Sequence, residues 1–215
     1  GRAHVDVEVR LTDGAGENLR LLQDNKANVH VGIIGGGASN AKLSPDVISL
    51  GRINYQPFWI FYRSKEIWSD LTSVRGKRIA VGPVGSGTRI VAEKVLGISG
   101  VAPEAEKLLP IFGHPAVKAL VEGNVDAVFF AGTLDSPILQ ALLKDPEIKL
   151  MNLPRVEALT RIYPFLVRLI LPAGVIDFAN NIPETDVNII GTTNAVVVRK
   201  DLHPQIIHLL AQALV

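Results

Sequence analysis

Short apolar runs typical of β-strands alternate along this chain with amphipathic runs typical of α-helices. Residues 29–36, 77–82 and 125–130 are predicted strands, and residues 88–96 and 114–123 are predicted helices. Short glycine-rich or polar segments join them. Because such connections leave little freedom for other topologies, the pattern predicts an α/β fold whose sheet is mainly parallel and flanked by helices.

The two ends of the chain are predicted to be regular structure as well. Residues 5–11 alternate with a period of two and predict a strand, and the chain stops inside a predicted helix that follows Pro204. We therefore expect segments of the native protein to be missing at both ends. Extended stretches near Tyr62 and Val187 predict the boundaries of two lobes.

The composition narrows the class of function. The chain of 215 residues is 47% hydrophobic and 20% charged, which predicts a globular protein with a real core. A formal net charge of +1 gives no reason to expect nucleic acid as a partner. The chain has no cysteine, which excludes thiol catalysis, disulfides and cysteine-ligated zinc. No apolar run is long enough for a transmembrane helix, and no cofactor or metal is expected.

Four loops rich in small residues follow predicted strands, where parallel α/β sheets bind their ligands. Glycine lets a ligand approach the backbone, and a helix N-terminus offers free N–H groups and a partial positive charge. These loops predict a cleft for a carboxylate or another small anion. The alternative for each loop is a plain helix cap with turn glycines. The loops are residues 12–18, 35–40, 82–88 and 131–136.

The loop at residues 82–88 resembles three reactive motifs and satisfies none of them. Thr88 stands where a P-loop needs lysine, and Ile90 stands where a dinucleotide fingerprint needs its third glycine. A nucleophile elbow would need glycines two residues either side of Ser86, and these positions hold Val84 and Thr88. A serine and a threonine hydroxyl at a helix start therefore indicate binding of an anion without reaction.

Other candidate residues carry weaker signals. Asp126 could be a catalytic acid, but with no base in view it is better explained as a structural residue at a strand entry. Arg63 and Arg89 could pair with a ligand carboxylate or lie on the surface. The five histidines lack metal spacing. The absence of a catalytic constellation favours binding over turnover.

Several segments together resemble the TAXI-type solute receptors of TRAP transporters, from about Val5 to the end of the chain. They are YQPFWIFYR, DLTSVRGKRIAVGPVGSGTR, NVDAVFFAG, YPFLVRLILPAGVID and VVVRKDLHP. The resemblance implies a two-lobed, type II periplasmic-binding-protein fold, with residues 1–62 and 188–215 in lobe 1 and residues 63–187 in lobe 2. It also implies capture of a small organic anion or amino acid between the lobes, and delivery of that solute to a TRAP-type membrane permease. The location implied is the periplasm. Two alternatives stay open there: a free protein, or one tethered to the membrane through segments absent from this chain.

The resemblance also assigns ligand-binding positions. They are Gly14, Ala15, Asn18, Gly35, Gly36, Ser86, Gly87, Thr88, Phe130 and Ala131. The chain departs from the family twice. It begins after the first strand and helix of the family, and it has GGG where a glutamine-like polar residue usually follows the third strand.

Two other functions share the same scaffold. One is the ligand-sensing domain of a transcriptional regulator or a membrane-tethered receptor. The other is an enzyme such as a deaminase or a tetrapyrrole synthase, which would need a cysteine or a catalytic acid in the cleft. The predicted cleft loops hold glycine, alanine, serine and threonine, so an enzyme is disfavoured.

Overall fold

The computed structural model describes residues 6–12, 14–37, 44–102 and 107–214. The strands are β1 (Val31–Gly35), β2 (Val47–Tyr62), β3 (Arg78–Ala80), β4 (Lys107–Leu109), β5 (Ala127–Ala131), β6 (Lys149–Leu150), β7 (Leu166–Leu171) and β8 (Val187–Arg199). The helices are α1 (Ala15–Gln23), α2 (Gly87–Ile98), α3 (Gly113–Val121), α4 (Pro137–Lys144), α5 (Val156–Ile162) and α6 (Pro204–Ala213), with a short 3₁₀ turn at Leu71–Val74. The α/β class is confirmed.

The sheet is mixed, which corrects the expectation of mainly parallel pairing. Its order is β1-β8-β2-β5-β3-β4, with β6 beside β2 and β7 beside β8. Among the described strands the parallel pairs are β3 with β4 and β3 with β5. The other described pairs are antiparallel, and one of them joins the two longest strands, β2 and β8. They are far apart in sequence, so no local pattern reveals their pairing.

The strands β2 and β8 run through the middle of the molecule. The first part of β2 pairs with β8 from Val47↔Arg199 to Phe58↔Ile190. From Phe58 onward β2 pairs with β5 instead. The strand thus passes without a break from one set of neighbours to another. The predicted division into lobes at residues 62 and 187 stays a prediction.

Large side chains of β2 enter two apolar clusters on opposite faces of the sheet. Phe58, Ile60 and Tyr62 pack with α2 on one face, whereas Trp59 and Phe61 pack with α3 and α4 on the other. This is the alternation that a period of two requires. A third and much smaller cluster joins α1 to β1, β2 and β8. Its buried members are Leu22, Ile34 and Val197.

The predicted strand at residues 5–11 is wrong over its described part. Residues 6–12 have no regular structure, and Val7, Val9 and Leu11 are 74%, 80% and 93% exposed. The physical reason is that alternation favours a strand only where a neighbouring strand accepts its hydrogen bonds, and these residues have none among the described strands. Val5 lies outside the described residues.

Candidate functional site

A cavity of about 1070 Å³ lies where the starts of α1 and α2 meet the central strands. The cavity takes lining residues from loops before both helices, from the end of β1, and from the middle of β2 and β8. Most of the predicted ligand-binding residues come together here. Those that line it are Gly14, Ala15, Asn18, Gly35, Gly36, Ser86, Gly87, Thr88 and Ala131. Their part in binding stays a prediction.

Phe130 is the predicted site residue that does not line this cavity. It is opposite Trp59 in the β2–β5 register and packs in the cluster with α3 and α4. Because successive side chains of a strand point to opposite faces, a cavity lined by Ala131 leaves Phe130 on the other side. Of the four predicted loops, residues 13 and 38–40 lie outside the described residues.

The start of α1 is shaped by backbone conformation and by Asn18. Gly14 occupies the N-cap position with a φ of 119°, a conformation that glycine adopts readily, and as a glycine it has no side chain to cap the helix. The Asn18 amide donates to the Ile33 carbonyl at 2.8 Å, and its oxygen accepts from the Thr12 hydroxyl. Asn18 thus holds α1 against β1. Gly14, Ala15 and Gly16 bring the backbone of this first turn to the cavity.

The start of α2 combines the two interpretations that the sequence left open. Ser86 is a helix cap, since its Oγ accepts from the Arg89 backbone N–H at 3.3 Å, and it also lines the cavity. The Thr88 hydroxyl makes no hydrogen bond within the described part of the chain. Gly82 and Gly85 have φ of 86° and 84°, which favour glycine and shape the turn. A second helix N-terminus, with its partial positive charge, therefore borders the same cavity.

Gly16 in α1 and Gly85 just before α2 are in contact, and both line the cavity. A Cβ added at Gly16 would lie 2.5 Å from the Gly85 carbonyl oxygen, closer than any ordinary contact. The loop after β1 makes a second contact of this kind, because a Cβ at Gly36 or Gly37 would meet Phe165 at 3.1 or 2.7 Å. Because these glycines have no side chain, both pairs of segments can lie in contact. This also gives a physical reason for the GGG that replaces a polar residue of the resembled family.

The central strands contribute a polar group of residues that sequence reasoning missed. Gln56 on β2 is opposite Thr192 on β8, and Asn194 follows two residues later; all three line the cavity. Phe58 and Val91 form an apolar wall beside them. The signal was present in the sequence as TTN inside the apolar run 187–199, where buried strand residues are expected to be aliphatic.

Charged side chains at the cavity are few. Among the described lining residues only Glu17 and Arg20 are charged, and they form an ion pair at 3.5 Å. Arg89 and Arg63 do not line it. Arg89 Nε binds Glu93 at 2.7 Å, and Arg63 lies 3.6 Å from Glu147.

Asp126 has the structural role that the sequence favoured. Its carboxylate accepts from the Arg78 backbone N–H at 2.8 Å and from the Arg78 guanidinium at 2.8 and 3.1 Å. The side-chain hydrogen bonds from Arg78 lower the pKa of Asp126 below its usual value. The carboxylate thus ties the entry of β5 to β3. No cluster of three or more metal-binding side chains occurs among the described residues, and none of the described helices could cross a membrane.

Comparison with known structures identifies the fold. An ancestral arginine-binding protein bound to arginine covers 98% of this chain and 74% of its own, with 19% identity and a TM-score of 0.57. The substrate-binding protein of an amino acid ABC transporter covers 98% and 73%, with 16% identity and a TM-score of 0.56. The effector-binding domain of QuiR in complex with shikimate covers 94% and 76%, with 10% identity and a TM-score of 0.56.

The fold is that of the periplasmic-binding-protein-like receptors, which confirms the predicted architecture class. The chain belongs to the NMT1-like family, whose sequence profile matches residues 2–215. The three solved structures are described as substrate-binding, arginine-binding and effector-binding proteins, and the sequence of this chain likewise predicts binding without turnover.

Proposed function

We propose that this chain is a periplasmic receptor that captures a small carboxylate-bearing solute between two lobes and delivers it to a membrane permease. The observation that carries the proposal is the meeting of two helix N-termini at one cavity. A helix N-terminus carries backbone N–H groups without partners inside the helix and a partial positive charge, so two of them at one cavity suit an anion. The Ser86 and Thr88 hydroxyls add donors at the second helix.

Capture needs a difference in affinity between an open and a closed form. The contacts of Gly16 with Gly85 and of Gly36 and Gly37 with Phe165 support a closed form in which the cavity mouth is narrowed. In the open form these contacts would separate and the solute could enter. A solute held by both helix starts would favour closure because it binds both only when they are close.

Binding is tested by titration calorimetry and thermal shift with L-glutamate, 2-oxoglutarate, succinate, shikimate and L-arginine. At least one carboxylate should raise the melting temperature of the protein. Thr88→Ala should then weaken binding of that solute by roughly 1.5–3 kcal/mol, the usual contribution of a hydrogen bond to a charged group. The same loss is expected for Ser86→Ala, which also removes a helix cap. If no small anion binds, or if neither substitution changes the affinity, the proposal fails.

The type of permease is a separate part of the proposal. The motif resemblance supports a TRAP-type partner, whereas the similarity to the receptor of an amino acid ABC transporter supports an ATP-driven one. We propose the TRAP type. In reconstituted vesicles, uptake that depends on this receptor and on an ion gradient, without ATP, supports it; uptake that requires ATP contradicts it.

A second candidate function is ligand sensing, which the similarity to the QuiR effector-binding domain supports. Deletion of the gene distinguishes the two. A receptor is required for uptake of its solute. A sensing domain is instead required for the transcriptional response to that solute, and uptake persists without it.

A further inference from the structure

Gln56, Thr192 and Asn194 form a polar surface, called here the strand floor, at the inner side of the cavity. Gln56 and Thr192 are direct partners in the β2–β8 register, and Asn194 is on the same face as Thr192, two residues further along β8. The floor belongs to the two longest strands of the sheet and not to loops. The β2–β8 register is regular from Asn54 to Phe58, so the backbone hydrogen bonds of the sheet set the position of the floor.

The floor has hydrogen-bonding capacity that the protein does not use. Thr192 is only 6% exposed, yet its hydroxyl makes no hydrogen bond within the described residues. The side chains of Gln56 and Asn194 likewise have no such partner in that part of the chain. All fully enclosed side-chain nitrogen and oxygen atoms of the described residues are paired, so the Thr192 hydroxyl is open to the cavity. A buried polar group left unpaired is costly unless something else satisfies it.

The floor is also neutral. The charged side chains lining the cavity within the described residues are Glu17 and Arg20, which already pair with each other. A cationic group on a solute would meet no unpaired carboxylate here, and burying it would be costly. Hydroxyl, carbonyl and amide groups match a floor that can both donate and accept.

We infer that the strand floor selects solutes that carry hydroxyl or oxo groups in addition to their carboxylate, and that it disfavours amino acids and cationic side chains. This inference rests on the proposed function, since it describes how the same cavity chooses among anions. The carboxylate lies at the helix starts, and the uncharged polar groups of the solute lie on Gln56, Thr192 and Asn194. Phe58 and Val91 contact its carbon skeleton.

Matched solute pairs test the inference. They are shikimate with cyclohex-1-ene-1-carboxylate, 2-oxoglutarate with glutarate, and L-malate with succinate, with L-glutamate as the amino acid. In at least one pair, the affinity of the wild-type protein for the oxygenated member should be at least about tenfold higher than for the other member. The oxygenated member should also bind more tightly than L-glutamate.

Thr192→Val keeps the shape of the side chain and removes its hydroxyl. It should reduce the affinity ratio within that pair severalfold, while the affinity for the less oxygenated member stays the same. Unfolding stability should not fall, because no hydrogen bond of the protein is lost. Thr193→Val is the matched control: the residue is adjacent, 7% exposed and not among those lining the cavity. Gln56→Leu and Asn194→Leu extend the test to the other two positions.

The outcomes separate the two proposals. If none of these solutes and no other member of the earlier panel binds the wild-type protein, the proposed function fails and the strand floor with it. If both members of every pair bind equally, or L-glutamate binds best, the receptor stands and the floor is refuted. The strand floor is also refuted if the affinity ratio within a pair is large but Thr192→Val leaves it unchanged. It is refuted as well if Thr193→Val reduces the ratio as much as Thr192→Val does.

Discussion

Replacement of Gly16 by alanine should impair closure of the cavity without harming the fold. The added Cβ would lie 2.5 Å from the Gly85 carbonyl oxygen, about 1 Å inside an ordinary van der Waals contact. Because the obstacle is backbone, the two helix starts must move apart. Overpacking of this kind costs about 1–3 kcal/mol. If the cost falls on the closed form alone, solute affinity drops by about 5- to 150-fold.

Closure can be measured directly in this protein because it contains no cysteine. Cysteines introduced at Lys26 and Lys118, both exposed, accept spin labels for distance measurement. We expect Gly16→Ala to shift the distance distribution away from the one that the wild type shows with bound solute. Gly97→Ala is the control, since its Cβ would meet nothing within 4 Å. Wild-type distances and affinity in Gly16→Ala would refute the role of this contact.

Three further substitutions test the interactions that stabilise the fold. Asp126→Asn should destabilise the protein by about 1–2 kcal/mol at pH 7, a charged hydrogen bond discounted for partial exposure. Because the folded-state pKa of Asp126 is lowered, the difference in free energy of unfolding from the wild type holds above pH ~4. It is lost as the pH falls through that lowered pKa. Urea unfolding at pH 7 and pH 3 checks this, and an equal difference at both pH values would contradict it. Tyr62→Phe should cost about 1–3 kcal/mol, because the buried Trp68 backbone N–H loses its acceptor at 3.1 Å; an unchanged urea midpoint by tryptophan fluorescence would contradict this. Gly97→Ala inside α2 should raise stability by about 1 kcal/mol, and a lower melting temperature would be inconsistent with open space there.

The helices and most strands could be predicted from the sequence because their causes are local. The apolar spacing at Val91 and Val95, for example, is a property of one helix, and both residues are buried in the structure. The pairing of β2 with β8 has no local cause, so the mixed sheet was not predictable. The same limit explains residues 6–12, whose alternation indicates a strand although no described strand lies beside them.

The site divides in the same way. The loops at both helix starts could be located because strand ends and glycines mark them. The strand floor could be located only in part: TTN marks polar residues inside an apolar strand, but the meeting of Gln56 and Thr192 depends on the β2–β8 register. Phe130 and Ala131 were both predicted to bind the ligand, and Ala131 alone of the two lines the cavity. A sequence shows that neighbours on a strand face opposite ways but not which one faces the cavity.

The unequal sizes of the apolar clusters have a consequence for local unfolding. The part of the sheet around β1 is held by a cluster with three buried members among the described residues, Leu22, Ile34 and Val197, whereas β2 beyond Phe58 is held between two much larger ones. Opening energies follow buried apolar contacts. Amide hydrogen exchange should therefore slow along β2 itself, from rapid near Val47 to very slow near Phe61. A single strand would then join the part of the protein that opens first to the part that opens last.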